Sequence, residues 1–203
     1  MPNIDFVQVF VVFLVLVGSL TIHEAAHAWS ADRLGDATAR LLGRVSLNPA
    51  VHVDPIGTIL FPLIALVTNL PVLGWAKPVP VNTGQLGATW KQKFMLIAAA
   101  GPASNLVIAV VAALLSKVLG DSPVGPALAM TVYLNVLLAV FNMIPVPPLD
   151  GGNVLSGLLR GPAARAFDSL RPYGFIILYG LMFSGGLSTL VAPPVDLIMS
   201  WLL

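Results

Sequence analysis

Long apolar runs alternate with short polar stretches along the chain, and within each run the apolar residues are continuous. Runs of this length predict membrane helices, whereas a transmembrane barrel would show short segments alternating residue by residue. The first run, Phe6 to Ile22, carries no charge and continues through His23, Glu24 and His27 to about Trp29. It is too long, and too polar at its end, for a signal peptide, and it reads as the first membrane helix. A charged stretch follows, with Asp32, Arg33, Asp36, Arg40 and Arg44. The second run, 55–73, is apolar but contains Pro55, Gly57, Pro62 and Pro71. Proline removes a donor and clashes with the preceding turn, which disfavours a straight span. Pro78 and Pro80 bias the next piece, 74–82, toward extended geometry. The third run is 94–119, with Gly101, Pro102 and Asn105 inside it, and the fourth is 126–144. A fifth starts near Pro172 and pauses at Gly185 and Gly186, and the last, 187–203, is interrupted by Pro193 and Pro194. The expected architecture is an all-α polytopic membrane protein, a single domain over residues 1–203 with about five to six membrane segments.

Composition agrees. Hydrophobic residues make up 57% of the 203, and only 10 Lys or Arg and 9 Asp or Glu are present. An ordinary soluble domain carries roughly 25% charged residues, which its surface needs. A net charge of +1 argues against a nucleic-acid partner, which calls for a basic stripe. Without cysteine, a metal has to be held by histidine and carboxylate.

The placement of charge bears on the 55–73 run. If it crosses the membrane, Lys77, Lys91 and Lys93 lie opposite Arg33, Arg40 and Arg44, and Asp150 lies opposite His23 and His27. If it dips in and returns, Arg33, Arg40, Arg44, Lys77, Lys91, Lys93, Arg160, Arg165 and Arg171 share one face and only Lys117 is opposite. The positive-inside rule prefers the second arrangement, with the basic face cytoplasmic. A re-entrant segment at that depth has to pack on protein or on a wet cavity rather than on lipid.

The chemistry concentrates at His23-Glu24-Ala25-Ala26-His27, an HExxH pattern at the end of a helix. Spacing i, i+4 puts both imidazoles on one helix face, where they can share a metal, and Glu24 beside them can serve as general base. Ionisable groups clustered in an apolar segment are costly and face an interior site by default. Catalytic zinc takes three protein ligands. The candidates for the third are His52, Asp54 and Asp150, with Asp5, Asp121, Asp168 and Asp196 near ends or loops. The re-entrant topology brings Asp150 to the histidine pair, and Gly151 and Gly152 allow a close approach there. Taken alone, Asp150-Gly151 is an ordinary turn pair.

The combination resembles the site-2 protease family of intramembrane zinc metalloproteases. The motifs that carry the likeness are HExxH near the cytoplasmic end of one membrane helix and Leu149-Asp150-Gly151-Gly152 at the end of a later one. Supporting pieces lie around Asn48 to Thr58, Lys77 to Asn82, Ala100 to Asn105 and Asn142 to Pro145. The resemblance implies one zinc ion held by His23, His27 and Asp150, with Glu24 as catalytic base. It also implies hydrolysis of peptide bonds in or near transmembrane helices of substrate proteins, inside a lipid bilayer and near the cytoplasmic face. No inserted PDZ-like domain and no nucleotide-sensing domain is visible, so a minimal catalytic core is expected.

Three further positions stay open at this level. Asn142, eight residues or about two turns before Asp150 and expected on the same helix, either donates to the oxyanion or substrate backbone or makes an interhelical hydrogen bond. His52 stabilises the oxyanion, adds a metal ligand or caps a turn. Asn105 reads as packing glue, and Asp54 before Pro55 as a helix cap. A helical substrate must unwind before attack. Ala39 to Leu47 and Trp75 to Val81 are the stretches able to pair with it, as a small membrane-associated β-sheet on the cytoplasmic side. Two other functions fit an intramembrane His and Asp cluster: a metal-ion transporter and an inactive membrane adaptor.

Overall fold

Helix follows helix through the computed structural model, which describes residues 6–61, 64, 75–120 and 122–203. Among the described residues three helices are long and apolar enough to cross a membrane: α1 (Phe6–Arg33), α3 (Trp90–Leu119) and α4 (Gly125–Asn142). Between the first two lies a single helical turn, α2 (Thr38–Leu41). After α4 come α5 (Asp150–Leu158), α6 (Gly161–Asp168), α7 (Gly174–Phe183) and α8 (Gly186–Leu202). The stretch Gly161–Phe183 meets Gly186–Leu202 at 80° across Gly185, and the count of spans rises to four if this bent pair is one. At 1.5 Å per residue, α1 and α3 are each about 40–45 Å long, enough to pass the hydrocarbon layer and reach beyond it. With its apolar helices, this is an integral membrane protein.

Small residues let the spans approach closely. Ala109, Ala112 and Ala113 of α3 pack with Val132 and Val136 of α4 and with Val191 and Val195 of α8. In lipid, where apolar burial gives no preference for helix over acyl chain, such close contact supplies the attraction. The N-terminal half of α1 instead leaves Phe6, Phe10 and Phe13 outward, as lipid-facing residues are. Lys93 at the start of α3 donates from Nζ to the Leu34 carbonyl just past the end of α1 (2.9 Å). The two helices are therefore antiparallel, and Arg33, Lys91 and Lys93 share one end while Lys117 sits at the other. At the basic end, Ser156 and Arg171 both hold the Asp168 carboxylate. The Ser156 hydroxyl bond at 2.7 Å is the larger reason that its pKa lies below the usual carboxylate range.

Two expectations are corrected. Among the described residues no strand is present, so the β-sheet proposed for 39–47 and 75–81 is not formed. Thr38–Leu41 is helical and the chain turns at Gly43 (φ 68), while Pro78 and Pro80 have no N–H to offer a ladder. What forms instead is an extended strap, 75–82, pinned by single bonds. Pro193 and Pro194 do not interrupt the last helix: α8 runs through both, and both face outward. The anticipated five to six membrane segments included 55–73, of which 62–63 and 65–73 lie outside the described residues. Its start is a π-helical turn, Pro55–Leu60, capped as expected by Asp54, whose Oδ1 accepts from the N–H of Ile56 (2.9 Å) and Gly57 (2.7 Å).

Candidate metal centre

His23 and His27 lie one turn apart on α1, both buried, and face α3. Their Nε2 atoms are 3.1 Å apart. Asp150, the first residue of α5, brings Oδ2 to 3.1 Å from His23 Nε2 and 3.3 Å from His27 Nε2. Among the described residues these three make the one cluster of its kind able to hold a metal ion.

The other ring nitrogens decide what these atoms are. His23 Nδ1 is 2.6 Å from Asn105 Oδ1, and His27 Nδ1 is 2.7 Å from the main-chain carbonyl of Ile97. A carbonyl oxygen only accepts, so each Nδ1 carries the hydrogen and each Nε2 presents a lone pair. Two lone pairs and a carboxylate oxygen thus converge on one point, an arrangement that requires a cation. Donors at about 2.0–2.1 Å from a tetrahedral zinc stand about 3.3–3.4 Å from one another, close to the separations found here. The residues fit zinc.

Glycine shapes the surroundings at two places. A Cβ on Gly101 of α3 would run into the Nε2 atoms of both His23 and His27, so only glycine lets α3 back the site this closely. A Cβ on Gly151 would meet the Met143 and Ile144 carbonyls, so glycine also lets α5 start hard against the turn that follows α4.

Glu24 is half-buried and lines, with His23, His27 and Asp150, a cavity of about 450 Å³. The cavity's far wall is the strap, through Trp75, Ala76, Pro78 and Val79. The strap is held at three points. Trp75 N–H donates to the Gly57 carbonyl (3.2 Å), and its own carbonyl accepts from Thr58 Oγ1 (2.9 Å). Lys77 N–H donates to the His52 carbonyl (2.8 Å), and Arg44 donates to the Lys77 carbonyl. Asn82 N–H donates to Asp36 Oδ2 (2.6 Å). Burial lowers the Arg44 guanidinium from its ordinary pKa, and the Glu24 carboxylate opposes the shift.

The remaining candidates separate. Asn142 lines the cavity, but it ends α4, and Asp150 begins another helix, so the two do not share a helix as the spacing implied. The intervening Pro145, Pro147 and Pro148 account for the break, and one Asn142 amide hydrogen goes to the Leu138 carbonyl (2.9 Å). His52 is buried outside the metal cluster, its Nε2 donating to the Ser46 carbonyl (2.9 Å). Asn105 is more than packing glue, because it holds His23. Asn135, which sequence reasoning passed over, donates to Ser19 and accepts from Asn105. Its signal was available: an amide in the middle of an apolar helix is costly unless something needs it.

A family model described as peptidase family M50 matches residues 120–183. The chain is 34% identical over 174 residues to the candidate zinc metalloprotease YwhC of Bacillus subtilis, covering 81% of this chain and 76% of that one. It is 31% identical over 194 residues to the candidate zinc metalloprotease Rip2 of Mycolicibacterium smegmatis, covering 91% and 71%. It is 26% identical over 150 residues to zinc metalloprotease MJ0392 of Methanocaldococcus jannaschii, covering 73% and 34%. No solved structure matches it. Together with a zinc-fitting centre in a membrane helix bundle, these likenesses place the chain in peptidase family M50, the site-2 proteases, a family of zinc metalloproteases.

Proposed function

We propose that this protein is an intramembrane endopeptidase that cleaves substrate proteins within or near their transmembrane segments. The observation that carries the reading is the convergence of His23, His27 and Asp150 beside Glu24, at a cavity between apolar helices. In this reading the three residues hold zinc, which supplies a Lewis acid to polarise the scissile carbonyl and to make water acidic. Glu24 takes the proton from the attacking water and returns it to the leaving amine. Asn105 and the Ile97 carbonyl keep the two rings turned toward the site. The unwound substrate lies along the strap, where Pro78, Val79 and Val81 line the cavity. Asn142 offers its second amide hydrogen to the substrate backbone, and His52 serves the strap rather than the reaction.

The site is proposed to open near the cytoplasmic face, with 55–73 entering and leaving on that side. Supporting this is the contact of Trp75 with Gly57 and Phe61: its N–H reaches the Gly57 carbonyl, and the Phe61 and Trp75 rings stand 5.0 Å apart. The two ends of the segment are thus neighbours.

The test compares the wild type with Glu24→Gln, purified in detergent, on a tagged single-span substrate. Zinc content should be unchanged and the cleavage rate should fall by at least about 100-fold. Cleavage at the wild-type rate would reject the role of Glu24, and metal flux in vesicles without proteolysis would favour a transporter.

A further inference from the structure

A column of polar side chains crosses the apolar core on the side of His23 away from Asp150. It runs from Ser19 on α1 to Asn135 on α4, to Asn105 on α3 and back to His23. Asn105 and Asn135 are fully buried, so each amide end has to find a partner of the right kind.

The order of donors along the column follows from one fixed acceptor. The Thr131 carbonyl is main chain and only accepts. Asn135 Nδ2 lies 2.9 Å from it and 2.9 Å from Ser19 Oγ, which identifies that end of the amide as the NH2 group. Asn135 Oδ1 then faces α3 and accepts from Asn105 Nδ2 at 2.9 Å. That bond leaves Asn105 Oδ1 for His23 Nδ1 and puts the ring hydrogen on Nδ1. His27 needs no such chain, because a main-chain carbonyl already fixes its tautomer.

Without the Asn135 acceptor, the Asn105 amide is free to turn over. Its NH2 would then face His23 Nδ1 and select the tautomer with hydrogen on Nε2, which has no lone pair for a metal. We infer that Asn135 is a positioning residue for the metal centre: by fixing which end of Asn105 faces His23, it holds His23 in the metal-binding tautomer. The inference rests on the reading of His23 as a zinc ligand.

Zinc affinity of the purified protein, measured by competition with a chromophoric chelator, tests it. Asn135→Leu removes the acceptor at similar volume and should weaken zinc about 10- to 100-fold, the range for outer partners of metal-bound histidine. Asn135→Asp still presents an oxygen to Asn105 Nδ2 and should bind zinc within about threefold of wild type, well short of that range. In an Asn105→Asp background either carboxylate oxygen accepts from His23, so adding Asn135→Leu there should cost little. A role limited to packing predicts otherwise, with equal losses in both backgrounds. The inference is overturned if Asn135→Leu binds zinc as wild type does, if Asn135→Asp is as weak as Asn135→Leu, or if the Asn105→Asp background gives no relief. Should Asn135→Leu fail to fold, Asn135→Ala, which also removes the acceptor, takes its place in every comparison. His23→Ala separates the two levels: normal affinity in that variant defeats the ligand reading itself, whereas its loss beside a normal Asn135→Leu defeats only the column.

Discussion

The two walls of the cavity hold their polar groups in different ways. On the wall built by α1, α3 and α4, His23, His27, Asn105 and Asn135 each have partners fixed by helices at 2.6–2.9 Å. On the wall built by the strap, which the 42–52 loop backs, the backbone is irregular and touches its supports at a few points. There Arg44 Nε and His52 Nδ1 are buried without a hydrogen-bond partner among the described residues. The contrast separates two tasks. A metal centre needs its donors set before anything binds, whereas the strap, proposed above to receive the substrate, is held by fewer contacts.

Substitutions can break or sharpen this contrast, and the largest effect belongs to the first wall. Asp150→Ala should lower zinc affinity by more than about 100-fold, beyond the range for outer partners, and abolish cleavage. Chelation of the wild type should do the same, and added zinc should restore only the wild type. Metal analysis of the purified proteins checks both. Gly101→Ala comes next. Its methyl falls against both Nε2 atoms, so zinc should be lost from a protein that still folds, at a cost of about 1–3 kcal/mol for overpacking. Zinc content read beside a thermal melt separates the two consequences.

The smallest effect belongs to the second wall. Asp36 is fully buried, and its carboxylate accepts from the N–H groups of Thr38 (3.0 Å) and Asn82 (2.6 Å). Asp36→Ala should cost about 1–3 kcal/mol by leaving both donors unpaired, lower the melting point by several degrees and raise KM. Zinc content should not change. A loss of zinc equal to that of Gly101→Ala would show that the walls are not independent.

The sequence told much about the first wall and little about the second. HExxH on a helix fixes the relation of His23, Glu24 and His27 by helical periodicity alone, and the structure has that relation. Asp150 was reached by a topological argument, from the sorting of basic residues to one face, and it meets the histidines. The tautomer partners were not legible because they join residues 82 and 30 positions apart. No local pattern encodes such meetings, and they depend on how closely α3 packs against its neighbours. The strap misled for the opposite reason. Its local preference for extended backbone was read correctly, but a sheet needs a partner strand, and the residues expected to supply it close into the α2 turn. Pro193 and Pro194 misled because proline does not by itself end a membrane helix: the helix continues through both, their rings pointing outward.

Gly101 gives the centre a back and a front. Its backbone closes one side of the two imidazole donor atoms, and it takes no part in lining the cavity. Anything that reaches those atoms therefore arrives from the hemisphere that holds Glu24 and the strap. The missing methyl group of a single glycine thus makes the centre one-sided: access to the imidazole donors is from the cavity alone.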